Sequence, residues 1–153
     1  MSNPSSDERQ HSLRVLALSP EAALEKRWEA LADKPAYRVL RPPQIGSAMI
    51  RGRIGGSGEP FNLGEMTMTR AAVQIDGADG RAIIGHGHVA GRAPRHAELI
   101  ALFDALMQDP AHHDAVAAAA IAPLAAALAR RHADEAARVA PSRVEFFTMV
   151  RER

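Results

Sequence analysis

Apolar and polar positions along this chain follow two rhythms: a period of two between residues 37 and 90, and a period near three and a half on either side of it. Leu13, Leu16 and Ala17 fit a short helix. Ser19 is placed to cap a second one, with Pro20 at its first position and Leu24, Trp28 and Leu31 spaced along one face. Residues 37–41, 47–54, 66–75 and 82–89 alternate as strands do, which leaves 42–46, with Gln44-Ile45-Gly46, as a connection between the first two. Asp76-Gly77-Ala78-Asp79-Gly80 is turn chemistry, so the last two strands are expected to form an antiparallel hairpin. Pro94 opens a helix in which Leu99, Leu102, Phe103 and Leu106 recur at i, i+3, i+4 and i+7. Asp109-Pro110 reads as a cap and first-turn proline for an alanine-rich helix running to Val139, kinked or broken near Ala122 by Pro123. Pro141 ends the helices, and residues 143–151 read as a returning strand.

This order predicts an α+β fold: a mostly antiparallel sheet with N-terminal helices, and a helical segment between the sheet hairpin and a C-terminal strand. Residues 1–11 show no apolar period and are expected to be a disordered tail, leaving residues 12–153 as one domain.

The two faces of each strand differ in kind. Ala48, Ile50 and Ile54 alternate with Met49, Arg51 and Arg53; Thr67, Ala71, Val73 and Ile75 alternate with Met66, Met68 and Arg70. A face of methionine and arginine without acids suits an interface or an anion site better than plain solvent. In the last strand Val144, Phe146 and Val150 oppose Phe147 and Met149, so both sides ask for cover. A single short domain covers one face with its own helices, which leaves Met49, Met66, Met68, Phe146, Phe147 and Met149 as candidates for contact with a partner.

Composition narrows the chemistry. The 153 residues suit one domain, and aromatics at 4% mean that the core rests on aliphatic side chains. A formal net charge of +1 gives no overall basic field for nucleic acid or membrane, so any anion site must be local. The absence of cysteine excludes disulfides, a thiol nucleophile and a cysteine-held zinc or iron–sulfur cluster. No apolar run reaches membrane-span length and the start lacks a signal-peptide pattern, which makes the cytoplasm the expected compartment.

Two constellations stand out. In Arg51-Gly52-Arg53-Ile54-Gly55-Gly56-Ser57-Gly58-Glu59, the glycines Gly55, Gly56 and Gly58 can turn backbone N–H groups toward an anion, while Arg51 and Arg53 supply bidentate donors. The run lacks the Lys-Ser/Thr of a phosphate-binding P-loop and the spacing of a dinucleotide fingerprint. A glycine-rich strand connection near a subunit contact fits it equally well. In the second, His86 and His88 share a strand face and are followed by Gly91-Arg92 and His96-Ala97-Glu98, a spacing that matches no established histidine–carboxylate metal motif. Ordinary surface or interface histidines are the expected outcome, with a small His-ligated metal hydrolase as the alternative. His112 and His113, at a helix start, are expected to be solvated. No serine sits in a nucleophile elbow and no paired carboxylates are identifiable, so no catalytic set is assigned.

The run from Arg51-Gly52-Arg53-Ile54-Gly55-Gly56 through Pro60-Phe61-Asn62-Leu63-Gly64-Glu65-Met66-Thr67 to Thr69-Arg70 resembles the PhnG family, a small subunit of the bacterial carbon–phosphorus lyase system. The likeness continues through Gly91-Arg92, His96-Ala97-Glu98, Asp104-Ala105-Leu106-Met107-Gln108, Ile121-Ala122-Pro123-Leu124 and Ser142-Arg143-Val144, and spans residues 13–151. Relatives can carry aromatics where His86 and His88 stand, which speaks against these two as metal ligands.

The resemblance implies a subunit that assembles with PhnH, PhnI and PhnJ. In that system PhnI, with PhnG, PhnH and PhnL also required, displaces adenine from ATP by an alkylphosphonate, giving a ribose 1-alkylphosphonate 5-triphosphate. A later radical step on the iron–sulfur subunit PhnJ breaks the carbon–phosphorus bond. On this view the chain binds no cofactor of its own, ATP is a substrate of the assembly, and Arg51, Arg53, Arg70 and Arg92 with the three glycines are the candidate substrate contacts. A purely structural adaptor is the nearest alternative.

Overall fold

The computed structural model describes residues 6–140. Helix α1 spans Ser6–Leu18, so the expected tail is helical from Ser6 onward. Asp7 and Glu8 in its first turn favour the helix N-terminus, and Arg9 reaches Asp104 with two hydrogen bonds of 2.9 and 2.8 Å. That anchor joins distant parts of the chain, which local periodicity does not register. Ser19 also departs from expectation: its hydroxyl donates to the Val15 carbonyl at 2.7 Å and closes α1, while extended Pro20 precedes helix α2, Glu21–Ala30.

Strands β1 (Tyr37–Arg53), β2 (Pro60–Asp76) and β3 (Ala82–Ala90) form one antiparallel sheet in the order β1-β2-β3, with the expected hairpin between β2 and β3. No turn interrupts β1 at Gln44-Ile45-Gly46. The Pro42-Pro43 pair is absorbed by register irregularities between Val39 and Arg41 and between Arg41 and Gln44, which β1 tolerates because among the described residues it is an edge strand with one partner. The two long strands outrun β3, whose pairing with β2 ends at Met68–Ala90. Beyond that point β1 and β2 continue as a two-stranded ribbon.

Helix α3 (Pro94–Gln108) lies on the other half of the sheet and is buried along almost its whole length. Its approach is set by Gly85 and Gly87: a Cβ at either would overlap the carbonyl oxygen of Ala101 or Ala97, with the Ala105 and Ala101 nitrogens at 2.7 and 2.9 Å. Alanines on the helix and glycines on the strand bring the two backbones together. Thr69 fixes the connection between β3 and α3. Its hydroxyl donates to the Gly91 carbonyl at 2.6 Å and accepts from the Ala93 N–H at 3.1 Å.

Behind α3 pack α1, α2 and a C-terminal run made of α4 (His113–Val116), a π-helical turn (Ala117–Ile121) and α5 (Ala122–Val139). Phe103, Leu16, Leu24, Leu102 and Leu106 are fully buried between the layers, and burial of each such side chain stabilises the fold by about 1.5–3 kcal/mol. Trp28 meets Phe103 edge-on at 6.0 Å and Tyr37 at 6.4 Å, tying α2 to α3 and to the start of β1.

The expected kink or break near Ala122 takes the form of a π-helical turn. Pro123 has no N–H and its ring crowds the preceding turn; the wider turn accommodates both without ending the helix. The helix also starts later than Asp109-Pro110 suggests, because the Asp109 carbonyl takes the N–H groups of both His112 and His113 in a turn. His112 and His113 are half-buried rather than solvated. His112 Nδ1 lies 2.6 Å from the buried Asp109 carboxylate, and His113 Nε2 lies 3.3 Å from Glu8. The returning strand with Phe146, Phe147 and Met149 falls outside the described residues.

Candidate functional site

The glycine-rich run is the tip of the ribbon. A short 3₁₀ turn, Ile54–Gly56, carries Gly55 at φ 62° and Gly56 at φ 80°, conformations that a side chain would strain. The N–H groups of Ser57 and Gly58 both donate to the Ile54 carbonyl, the latter at 2.9 Å, and Arg53 Nη1 donates to the Gly58 carbonyl at 2.9 Å. These groups are thus engaged within the turn. Arg51 is exposed opposite Asn62.

Register splits the methionine and arginine positions into two faces. Met49 pairs with Glu65, whereas Met66 pairs with Ala48 and Met68 with Gly46. Directly paired residues share a face and successive residues alternate, so Met49, Arg51 and Arg53 lie on the opposite side from Met66, Met68 and Arg70. Alternation in each strand is as expected; the single combined face is not. Neither side of the ribbon is covered by the described residues. Met49, Ile54, Phe61 and Leu63 are all exposed, Ile54 to 76%.

The second concentration of chemistry is on the face of the sheet opposite α3. Glycines at 85 and 87 point under the helix, so His86 and His88 point away from it. Pairing sets Gln44, Arg70 and His88 in one row across the three strands and Arg41, Ala72 and His86 in the next. A cavity of about 510 Å³ is lined by Gln44, Ile45, Gly46, Ser47, Met68, Arg70 and His88. A second of about 260 Å³ shares Arg70 and His88 with it and adds Leu40, Arg41 and His86. His88 is held below its ordinary pKa of 6.5, first by burial and then by His86, Arg70 and Arg41, with Asp104 opposing.

The candidate arginines therefore form no single site. Along β2 the path from Arg70 to Pro60 at the tip is ~33 Å of extended chain. Arg92 is exposed just after β3, beside Gly91, and lines neither cavity. The histidines do not converge with the carboxylate either. His96 Nε2 is buried 3.0 Å from the Leu16 carbonyl on the helical side, while Glu98 accepts from Arg95 at 3.0 Å and from the Tyr37 hydroxyl at 3.1 Å. Among the described residues no three His, Asp or Glu side chains are placed to hold a metal ion.

The sequence profile of the family described as phosphonate metabolism protein PhnG matches residues 7–152. The chain belongs to the PhnG family. It is 42% identical over 146 residues to the alpha-D-ribose 1-methylphosphonate 5-triphosphate synthase subunit PhnG of Rhizobium meliloti (strain 1021), covering 94% of this chain and 89% of that protein. The PhnG match takes in the helical layer, the ribbon and the outer face alike.

One residue of the PhnG outer face escaped the sequence reading. Strict alternation from Tyr37 and Val39 places Arg41 on the α3 side, but the extra residue Leu40 in the register returns it to the face of Arg70. The adjacent Pro42-Pro43 was the available sign that alternation would not hold through this stretch.

Proposed function

We propose that this chain is the PhnG subunit of an alpha-D-ribose 1-methylphosphonate 5-triphosphate synthase and serves the carbon–phosphorus lyase route as an accessory component. The observation that carries this reading is the 42% identity to a protein of that name over nearly the full length of both chains. In the reaction, a phosphonate oxygen forms a bond to the anomeric carbon of ATP's ribose as the bond to adenine breaks, and adenine leaves with a proton. PhnI carries the chemistry, PhnH and PhnJ complete the core, and the assembly works in the cytoplasm.

Within it, the ribbon is the docking arm. A two-stranded ribbon with exposed apolar side chains on both faces is a surface that water does not favour and a partner would cover. Met49, Met66 and Met68 contribute to it from opposite sides, so the partner grips the arm rather than meeting a flat face. The tip supports the same role: Arg53 bonded to Gly58, with Gly55 and Gly56 in the turn between them, holds the shape of that contact, and Arg51 stands exposed beside it.

Co-expression with PhnI, PhnH and PhnJ followed by native mass spectrometry tests the reading. A stoichiometric complex that loses this chain when Met49 and Phe61 are changed to Gln is expected. Release of adenine from ATP and methylphosphonate by the chain alone would overturn it.

A further inference from the structure

The outer face of the sheet combines features that the docking arm does not need. Arg41 and Arg70 are permanent cations, and among the described residues neither is paired with a carboxylate; the Arg70 guanidinium has only a 3.5 Å contact to Gln44 Oε1. His86 and His88 stand beside them, and the small residues Ala72 and Gly46 leave the floor between these side chains open. By contrast Arg38, one row further along, is already engaged with Gln74 at 2.9 Å.

We propose that this helix-free face binds a phosphorus oxyanion, with Arg41 and Arg70 as the charged donors, His86 and His88 beside them, and Gln44 and Ser47 at the cavity wall. Planar guanidinium groups match the tetrahedral oxyanion with paired donors, and imidazole and amide N–H groups supply directed single bonds. The two cavities adjoin through Arg70 and His88, so the cationic strip suits a chain of linked phosphates better than one isolated group. Burial is the first cause of the low His88 pKa, and an arriving anion would offset the repulsion from His86, Arg70 and Arg41 that adds to it. Assigning the oxyanion to the substrate pair, the phosphonate or the triphosphate of ATP, rests on the subunit reading; binding to the chain does not.

The test uses the purified chain, labelled for imidazole NMR, titrated with tripolyphosphate in one arm and methylphosphonate in the other at low salt. Tripolyphosphate is expected to move the His86 and His88 ring signals and raise the His88 pKa with millimolar affinity, more tightly than methylphosphonate. Arg70→Met is expected to weaken this by about tenfold, the loss of one charge-assisted contact, and Arg70→Lys to restore part of it. Arg130→Met, on exposed α5, controls for net charge, and Arg41→Met replaces Arg70→Met if that variant does not fold. Unmoved histidine signals, or equal weakening by Arg70→Met and Arg130→Met, would each overturn the proposal. Because no partner is present in the titration, its failure is separate from failure of the subunit to assemble.

Discussion

One half of the sheet is locked under α3 and the other half has no cover among the described residues, although the same two strands build both. In the covered half Thr69, Ala71, Val73 and Ile75 are buried against the helix, and Asp104 of α3 holds Arg9, the His86 N–H at 2.8 Å and Gln108 at 3.2 Å. In the ribbon the same alternation continues with none of the described residues packed on either side. Identical secondary structure thus has two outcomes: interior order where a third strand and a helix cover it, and exposed apolar side chains where they stop.

The largest expected effect is in the covered half. Gly87→Ala forces α3 off the sheet and should destabilise the chain by about 3 kcal/mol or more, lowering Tm by roughly 10 °C in calorimetry. The comparison breaks if this variant melts like the parent.

Next comes Arg9→Met, which leaves the almost wholly buried Asp104 carboxylate without its cation. A loss of about 2 kcal/mol in urea unfolding is expected, since Asp104 keeps its two other donors.

The double change Met49→Gln with Phe61→Gln sharpens the contrast from the ribbon side. Stability should shift by less than about 1 kcal/mol because both side chains are exposed, while light scattering shows less self-association and partner capture is lost. A large fall in stability would mean that the ribbon is part of the core.

The smallest effect is a pH dependence from His88. Its folded pKa lies below 6.5, so the neutral form is favoured in the fold and its contribution is complete above 6.5, declining as pH falls through the folded value. Replacing His88 with Gln should flatten that part of the stability–pH curve slightly, as read by melts across pH 5 to 7.

Much of the fold was legible before any coordinates. Asp76-Gly77 through Gly80 marked the hairpin between β2 and β3, Pro94 marked the start of α3, and Leu99, Leu102, Phe103 and Leu106 marked its buried face. These are local signals: a turn needs particular backbone angles within a few residues, and a helix repeats its own period. The site was less legible. The Gly-His-Gly-His run drew attention for its histidines, yet the glycines carry the structural constraint, since they admit the α3 backbone and thereby turn His86 and His88 outward.

The sequence by itself determined the α+β class of fold, its succession of helices, sheet and helices, and the family, because these rest on composition, periodicity and ordered motifs. Only the tertiary structure decided which residues share a face. Inserting Leu40 into the pairing returned Arg41 to the side of Arg70, and the register at Met49–Glu65 set Met49 against Met66 and Met68. Alternation along one strand is fixed by the chain alone, but which side meets which depends on pairing with another strand, where one extra residue reverses every position beyond it.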